Sequence, residues 1–488
     1  MPEMDFTYAT AVELADALRT SQISALELAQ AAIARIESLD VDVNAVPVHD
    51  FDRAIQAAKE ADGLLAAGVS SPLLGVPVTV KESFNVAGLP TTWGIAPFKD
   101  FIPDHDSLPV TRLRDAGAVI LGKTNIPVAL GDLQSYNPIY GSTSNPWNTD
   151  TTPGGSSGGS AAALAAGFGA VSVGSDIAGS LRVPAHFCGV FAHKPTFGLV
   201  PSRGHNPPAV PPLAYDRDLT VVGPMARSAA DLELLLELLA APDAPLSRAH
   251  RLALAPSRHE KLSDFRVLVV DSDPDIDTSS AVRSAIQEVA ATLESSGATL
   301  SRSSDLLPDP TEANRIYMQL LMSSIAASLP PDAYADARAA AASVPETDTS
   351  LAAARARGAA ASYRDWIAVD VARTRLRAQW ATLFDDFDAV LCPASPTPAF
   401  AHDHSPDQWG RKITIDGSEF DYADQLVWAG IASAPGLPAT VMPVQRTEDG
   451  LPVGVQLVGP MHEDRTTIRL AALLARHIGG FVRPPLFA

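Results

Sequence analysis

Two small-residue turns and one lysine are the residues of this chain best suited to chemistry. Gly154-Gly155-Ser156-Ser157-Gly158-Gly159-Ser160 is followed by Asp176-Ile177-Ala178-Gly179-Ser180, and Lys81 closes the apolar run Gly75-Val76-Pro77-Val78-Thr79-Val80. A serine hydroxyl attacks a carbonyl only with a base beside it. A lysine can be that base if burial pulls its pKa from about 10.4 towards neutrality, and a strand of the type that precedes Lys81 would bury it. Two serines and a lysine could therefore hydrolyse an acyl compound with no histidine in the chemistry. Lys123 and Lys194 compete for the role, and most lysines are simply solvated.

The glycine-serine run has other readings. Such stretches are often flexible linkers, but this one leads straight into the helix-forming Ala161 to Gly167. That favours a tight turn, whose backbone N–H groups can gather around an anion. Gly154-Gly155-Ser156-Ser157-Gly158 also fits the Gly-x-Ser-x-Gly elbow, which would make Ser156 the nucleophile and require an acid and a histidine downstream. The pattern is weak in a segment so rich in both residues. His186, His193, His205, His402 and His404 follow, none in a context that marks a base. A phosphate loop is excluded, because no Gly-Lys-Ser/Thr closes the run.

The elements that must hold these residues alternate between helix and strand. Residues 9 to 38 carry two helical patterns, and strands are expected to end at Lys81 and Lys123. A polar loop runs from Gln134 to Ser157, and a strand from Ala170 to Val173 separates the two serine turns. Beyond a loop at about 240 to 265 come a strand over Phe265 to Val270, a helix over 280 to 296 and alanine- and arginine-rich helices over 311 to 380. The side bearing Tyr317, Met318, Leu321 and Met322 reads as core packing before it reads as a pocket wall. Strands at 387 to 393 and 451 to 458 and a last helix over 465 to 477 complete an α/β pattern.

Composition narrows the class of partner. The chain has 488 residues, 46% hydrophobic and 19% charged, enough for one large globular domain. A net charge of −20 repels nucleic acid and anionic membrane surfaces. Cys188 and Cys392 form neither a disulfide framework nor a metal-ligand spacing and read as two buried small hydrophobes. The N-terminus lacks the basic flank of a signal peptide, and the longest apolar run falls short of the roughly 20 residues of a membrane span. The expectation is a cytoplasmic protein acting on a small molecule, with a homodimer as the base-rate assembly.

The two turns, with Gly174-Ser175 before the second and Leu181-Arg182-Val183-Pro184-Ala185 after it, closely resemble the amidase signature family. The resemblance extends to Gly189 through Thr196, Lys81-Glu82, Lys123-Thr124-Asn125, Asn145-Pro146-Trp147, Gly223 through Arg227 and Leu451 through Leu457. It covers most of residues 6 to 240 and 385 to 478. It implies a single large α/β/α domain with a mixed, mostly parallel central sheet covered by helices, a signature core at about 70 to 235 and 385 to 478, and a variable helical substrate cap over about 241 to 384.

The resemblance also assigns roles. Ser180 is the nucleophile, Lys81 the base, and Ser156 the bridging serine, whose peptide bond is often cis in the family. The N–H groups of Ile177, Ala178, Gly179 and Ser180 hold the oxyanion, and the Leu130 backbone lines the substrate site. No metal or organic cofactor is implied. Many members carry Gly where this chain has Ala178, which bears on substrate shape. The expected activity is hydrolysis of a small or aryl carboxamide, with esters and carbamates also open. One alternative is the glutaminase subunit of a tRNA-dependent amidotransferase, although such subunits usually carry Gln in place of Val183. A second is a non-catalytic binding protein on the same fold.

Overall fold

The computed structural model describes residues 6–212, 216–244 and 246–487. Its centre is one sheet of eleven strands: β1 (Val48–His49), β2 (Pro77–Lys81), β3 (Val119–Thr124), β4 (Val171–Asp176), β5 (Phe191–Lys194), β6 (Val221–Ala226), β7 (Arg266–Val269), β8 (Thr299–Ser301), β9 (Ala389–Pro393), β10 (Ala439–Arg446) and β11 (Pro452–Val458). Their order across the sheet is β1-β3-β2-β4-β6-β5-β10-β11-β9-β7-β8. Every residue of β2, β3 and β4 is buried. Strands covered on both faces read as continuous β-branched and apolar runs, as these do in the sequence.

The sheet is mixed, but it is less parallel than expected. β3, β2 and β4 run parallel, as do β9, β7 and β8, while the remaining neighbours are antiparallel, giving four parallel pairs against six. The reason is partly local. β10 and β11 are joined by a short turn closed by a hydrogen bond from Thr447 N–H to Leu451 C=O. A parallel pair would need a crossover of a dozen or more residues.

Residues 266 to 301 also depart from the expected helical cap. β7 and β8 pair in parallel with the helix Ser280–Ser295 between them, and β7 pairs with β9. This strand-helix-strand unit buries Val267, Leu268, Ile286 and Val289, so it extends the sheet. Only the later helices, Pro310–Ala326, Pro331–Ala342, Leu351–Ala359 and Tyr363–Asp386, stand outside it. No described helix is long and apolar enough to cross a membrane.

Two hydrophobic clusters decide where the serine turns sit. The larger joins the sheet to helices Ala25–Leu39, Ala229–Leu239, Ser280–Ser295 and Asp464–Ile478. The second joins the helices Pro310–Ala326 and Tyr363–Asp386 to the helix Val427–Ser433, with Ile177 and Ala178 packed against it. Tyr317, Met318 and Leu321 are fully buried there, as expected for core, and Met322 is partly buried.

Candidate active site

Lys81, Ser156 and Ser180 converge beside the C-terminal ends of β2 and β4. Parallel pairing of these strands sets Val80 opposite Val173, so Lys81 leaves the end of β2 beside the last residues of β4. Lys81 is completely buried, and its Nζ lies 2.8 Å from Ser156 Oγ and 3.0 Å from Ser175 Oγ. Burial lowers the ammonium pKa to about 7, against an opposing pull from Asp176. Near neutral pH the amine is thus substantially unprotonated and able to accept a proton.

The glycine-serine run divides between turn and helix. The helix begins at Gly158, earlier than the expected Ala161, and ends at Ala166 with all nine residues buried. Its alanines and glycines let it lie flat against the sheet. The Gly155–Ser156 peptide bond is cis. Gly155 has no room for a side chain: a Cβ there would stand 2.5 Å from the Asp132 carbonyl and 2.7 Å from the Gln134 nitrogen. The two serine turns are tied by their backbones, with Ser157 N–H donating to the Ser180 carbonyl (3.1 Å) and Ser157 Oγ to the Ser175 carbonyl (3.3 Å).

The second turn is clamped from below by a buried ion pair. Asp176 accepts N–H bonds from Gly179 (2.8 Å) and Leu181 (3.0 Å), and Arg182 grips both of its oxygens through Nη2 (2.8 Å) and Nε (3.0 Å). Burial alone would raise this carboxyl. The Arg182 guanidinium, with the Leu181 N–H, overcomes it and holds the pKa at about 2. Arg182 is satisfied further by the Ala429 carbonyl, Gln456 Oε1 and Ser433 Oγ. Gly179 takes φ of 93°, and a Cβ there would meet Val183 Cγ2 at 2.9 Å. Ala178 has no positive φ, so its methyl group is accommodated without backbone strain.

The clamp changes the set of N–H groups the turn can offer. Four were expected. Gly179 N–H is already given to Asp176, because the carboxylate that pairs Arg182 also lies under the turn. The N–H groups of Ile177, Ala178 and Ser180 have no acceptor among the described residues. Leu130 is half-buried at φ of 61°, next to Ala129 at 50°, with its own N–H donated to the Pro127 carbonyl. It lies two residues before Asp132, whose carbonyl abuts Gly155, and so belongs to the segment bordering the Ser156 turn.

Lys123, Lys194, His186 and His193 are engaged elsewhere. Lys194 Nζ donates to the Pro195 carbonyl at 3.0 Å, and Lys123 Nζ to the Pro90 carbonyl and to Thr91 Oγ1. Burial lowers them too, to about 7 and about 8. Among the described residues no histidine is hydrogen-bonded to Ser156 or Ser180. His186 is held between Gly454 and the Thr397 carbonyl, and His193 between Thr440 Oγ1 and Asp464. The elbow reading of Ser156 therefore lacks its base. No group of three or more described His, Cys, Asp or Glu residues is placed to hold a metal ion.

Four contributing residues carry no catalytic motif of their own. Ser175 sits beside the lysine through a contact that crosses from β2 to the end of β4. Asp176 and Arg182 left a trace, two opposite charges in a run of small and apolar residues, the pattern of a buried pair. Tyr317, from the segment without motifs, donates its hydroxyl proton to the Ile177 carbonyl (3.2 Å) and gave no local sign of it.

Comparison with known proteins identifies the family. The family model described as Amidase matches residues 27–468. The chain is 32% identical to an indoleacetamide hydrolase of Bradyrhizobium diazoefficiens, over 96% of its own length and 86% of the relative's. It is also 32% identical to a glutamyl-tRNA(Gln) amidotransferase subunit of Roseiflexus castenholzii, over 98% and 97%. Among solved structures, a bacterial aryl acylamidase of the amidase signature family superposes with a TM-score of 0.80 at 24% identity, covering 96% of each chain, a likeness of fold. The chain belongs to the amidase signature family and is an amide hydrolase.

Proposed function

We propose that the protein is a free-standing amidase that cleaves a small or aryl carboxamide through an acyl-enzyme on Ser180, with Ser156 as proton relay and Lys81 as base. The observation that carries this reading is the 2.8 Å contact between Ser156 Oγ and a fully buried lysine whose pKa falls to about 7. The lone pair of neutral Lys81 takes the Ser156 proton while Ser156 takes that of Ser180. Ser180 Oγ then bonds to the carbonyl carbon, and the C=O electron pair moves onto oxygen. The N–H groups of Ile177, Ala178 and Ser180 receive that oxyanion, each such donor being worth about 2.7 to 4 kcal/mol when removed. As the C–N bond breaks, Ser156 passes a proton to the departing amine and recovers one from Lys81. Water cleaves the resulting ester by the same relay.

An aryl acyl group is supported by the apolar side chains near the turn, Ile177, Ala178 and Val183, and by a relative named for indoleacetamide. The glutaminase reading draws on the equally similar amidotransferase relative. Against it, the side chain next to Gly179 is the isopropyl group of Val183, which offers no hydrogen bond to a polar amide side chain.

The test is a hydrolysis panel of aliphatic amides, aryl amides, glutamine, esters and carbamates, run on wild type and on Ser180→Ala. An aryl amide should be the best amide substrate, and Ser180→Ala should keep the fold and lose turnover. Retained turnover in that variant would overturn the assignment, and a preference for glutamine would favour the glutaminase reading.

A further inference from the structure

The hydroxyl of Tyr317 reaches the serine turn from the helix Pro310–Ala326, 140 residues further along the chain. The side chain is wholly buried, and its ring is wedged against Gly430, where a Cβ would come within 2.6 Å of Cδ1. It cannot swing aside without displacing the helix Val427–Ser433. Near it stands Ser433, whose Oγ accepts from Arg182 Nη2 (2.8 Å). Arg182 and Tyr317 thus reach the turn separately, Arg182 through Asp176 and Tyr317 through the Ile177 carbonyl. Arg182 holds Asp176 at its other edge, and Asp176 holds Gly179 and Leu181, so the network encloses the turn on both sides. Burial raises the phenol pKa, so the group stays a neutral donor.

The peptide unit between Ile177 and Ala178 is planar and trans, so its C=O and N–H point in opposite directions. We propose that Tyr317 is a positioning residue of the hydrolysis: by donating to the Ile177 carbonyl, it fixes this peptide plane so that the Ala178 N–H faces the oxyanion formed on attack by Ser180. The inference rests on Ser180 as the nucleophile. Tyr317 is wholly buried and offers a substrate no surface, so its effect belongs to the transition state. A helix without catalytic motifs would in this way act on the reaction through one hydrogen bond.

The experiment compares full-length Tyr317→Phe with wild type on the best amide of the panel. With one oxyanion donor misaligned, kcat should fall ~10-fold to ~100-fold, below or at the low end of what outright loss of a donor costs, with KM changed less than about threefold. An arylboronic acid, which forms a tetrahedral adduct on the serine, should bind more weakly by the same factor as kcat falls. If Tyr317→Phe does not fold, Ser433→Ala, which removes the hydroxyl near that of Tyr317, should show the same split at smaller size. Wild-type kcat, or a loss shared by kcat and KM with boronate affinity unchanged, would overturn the inference. Ser180→Ala separates the two ideas. Turnover in Ser180→Ala sinks the nucleophile assignment itself, whereas an inactive Ser180→Ala beside a wild-type-like Tyr317→Phe removes only the role of Tyr317.

Discussion

Asp176 and Arg182 form a completely buried ion pair six residues apart, and the serine turn between them is folded over it by N–H bonds from Gly179 and Leu181 to the same carboxylate. Charge at this depth is tolerated because all sides of it are satisfied. Breaking such a pair by removing one partner typically costs about 3 to 5 kcal/mol, since the other charge is left uncompensated.

Asp176→Asn should therefore lower stability by about that amount, measured by urea denaturation. It should also move the pH profile. The Asp176 charge holds the Lys81 pKa up, so its loss lowers that pKa further, and the acidic limb of activity shifts to lower pH. A limb that stays in place or moves upward would contradict the coupling.

The base itself predicts a pH profile. Below about 7 Lys81 is protonated and cannot accept from Ser156; above it the amine is free. Hence kcat/KM should rise through a single midpoint near 7 and level off. Lys81→Ala should abolish turnover, and Lys81→Arg should do the same because a guanidinium stays charged. A flat profile between about pH 5.5 and 8.5, or an active Lys81→Arg, would point to another base.

Backbone geometry separates two adjacent small residues. Gly179→Ala places a methyl group at φ of 93° and 2.9 Å from Val183 Cγ2, so it should cost at least ~1 kcal/mol of stability and displace Ser180, lowering kcat at least tenfold by about the same reasoning. Ala178→Gly meets neither problem. It should alter stability by less than about 1 kcal/mol and retain activity. Thermal denaturation and steady-state kinetics of the pair distinguish a requirement for glycine from general intolerance of the turn.

Cys188 and Cys392 are free and fully buried, and burial pushes their thiols up, Cys392 to about 12. The thiolate is the reactive form. Iodoacetamide at pH 8 should leave native protein and its activity untouched and label both residues after denaturation. Rapid inactivation of the native enzyme would show that a thiol is accessible.

The reading of the sequence held best where function depends on residue type and short spacing. The turn at Ser180 and the buried strand before Lys81 were visible because glycine, serine and β-branched residues have strong local preferences. The expected four-donor turn failed at Gly179, whose N–H is spent on Asp176. Spacing cannot tell which N–H a neighbouring carboxylate will take. The expected cap over 241 to 384 failed at β7 and β8, since a short apolar run does not say whether its partner is a distant sheet.

By itself the sequence determined the chemistry available: two serines in tight turns, a lysine at the end of a buried strand, and a family pattern connecting them. Only the tertiary structure decided how they meet. Pairing of β2 with β4 and the path of the glycine-serine turn put Lys81 against Ser175 and Ser156, antiparallel pairing claimed most of the sheet, and packing of a helix 140 residues away brought Tyr317 to Ile177. Local periodicity reports which face of an element is buried. Which distant element buries it depends on closing long loops and on shape complementarity, and the order of residues along the chain does not display either.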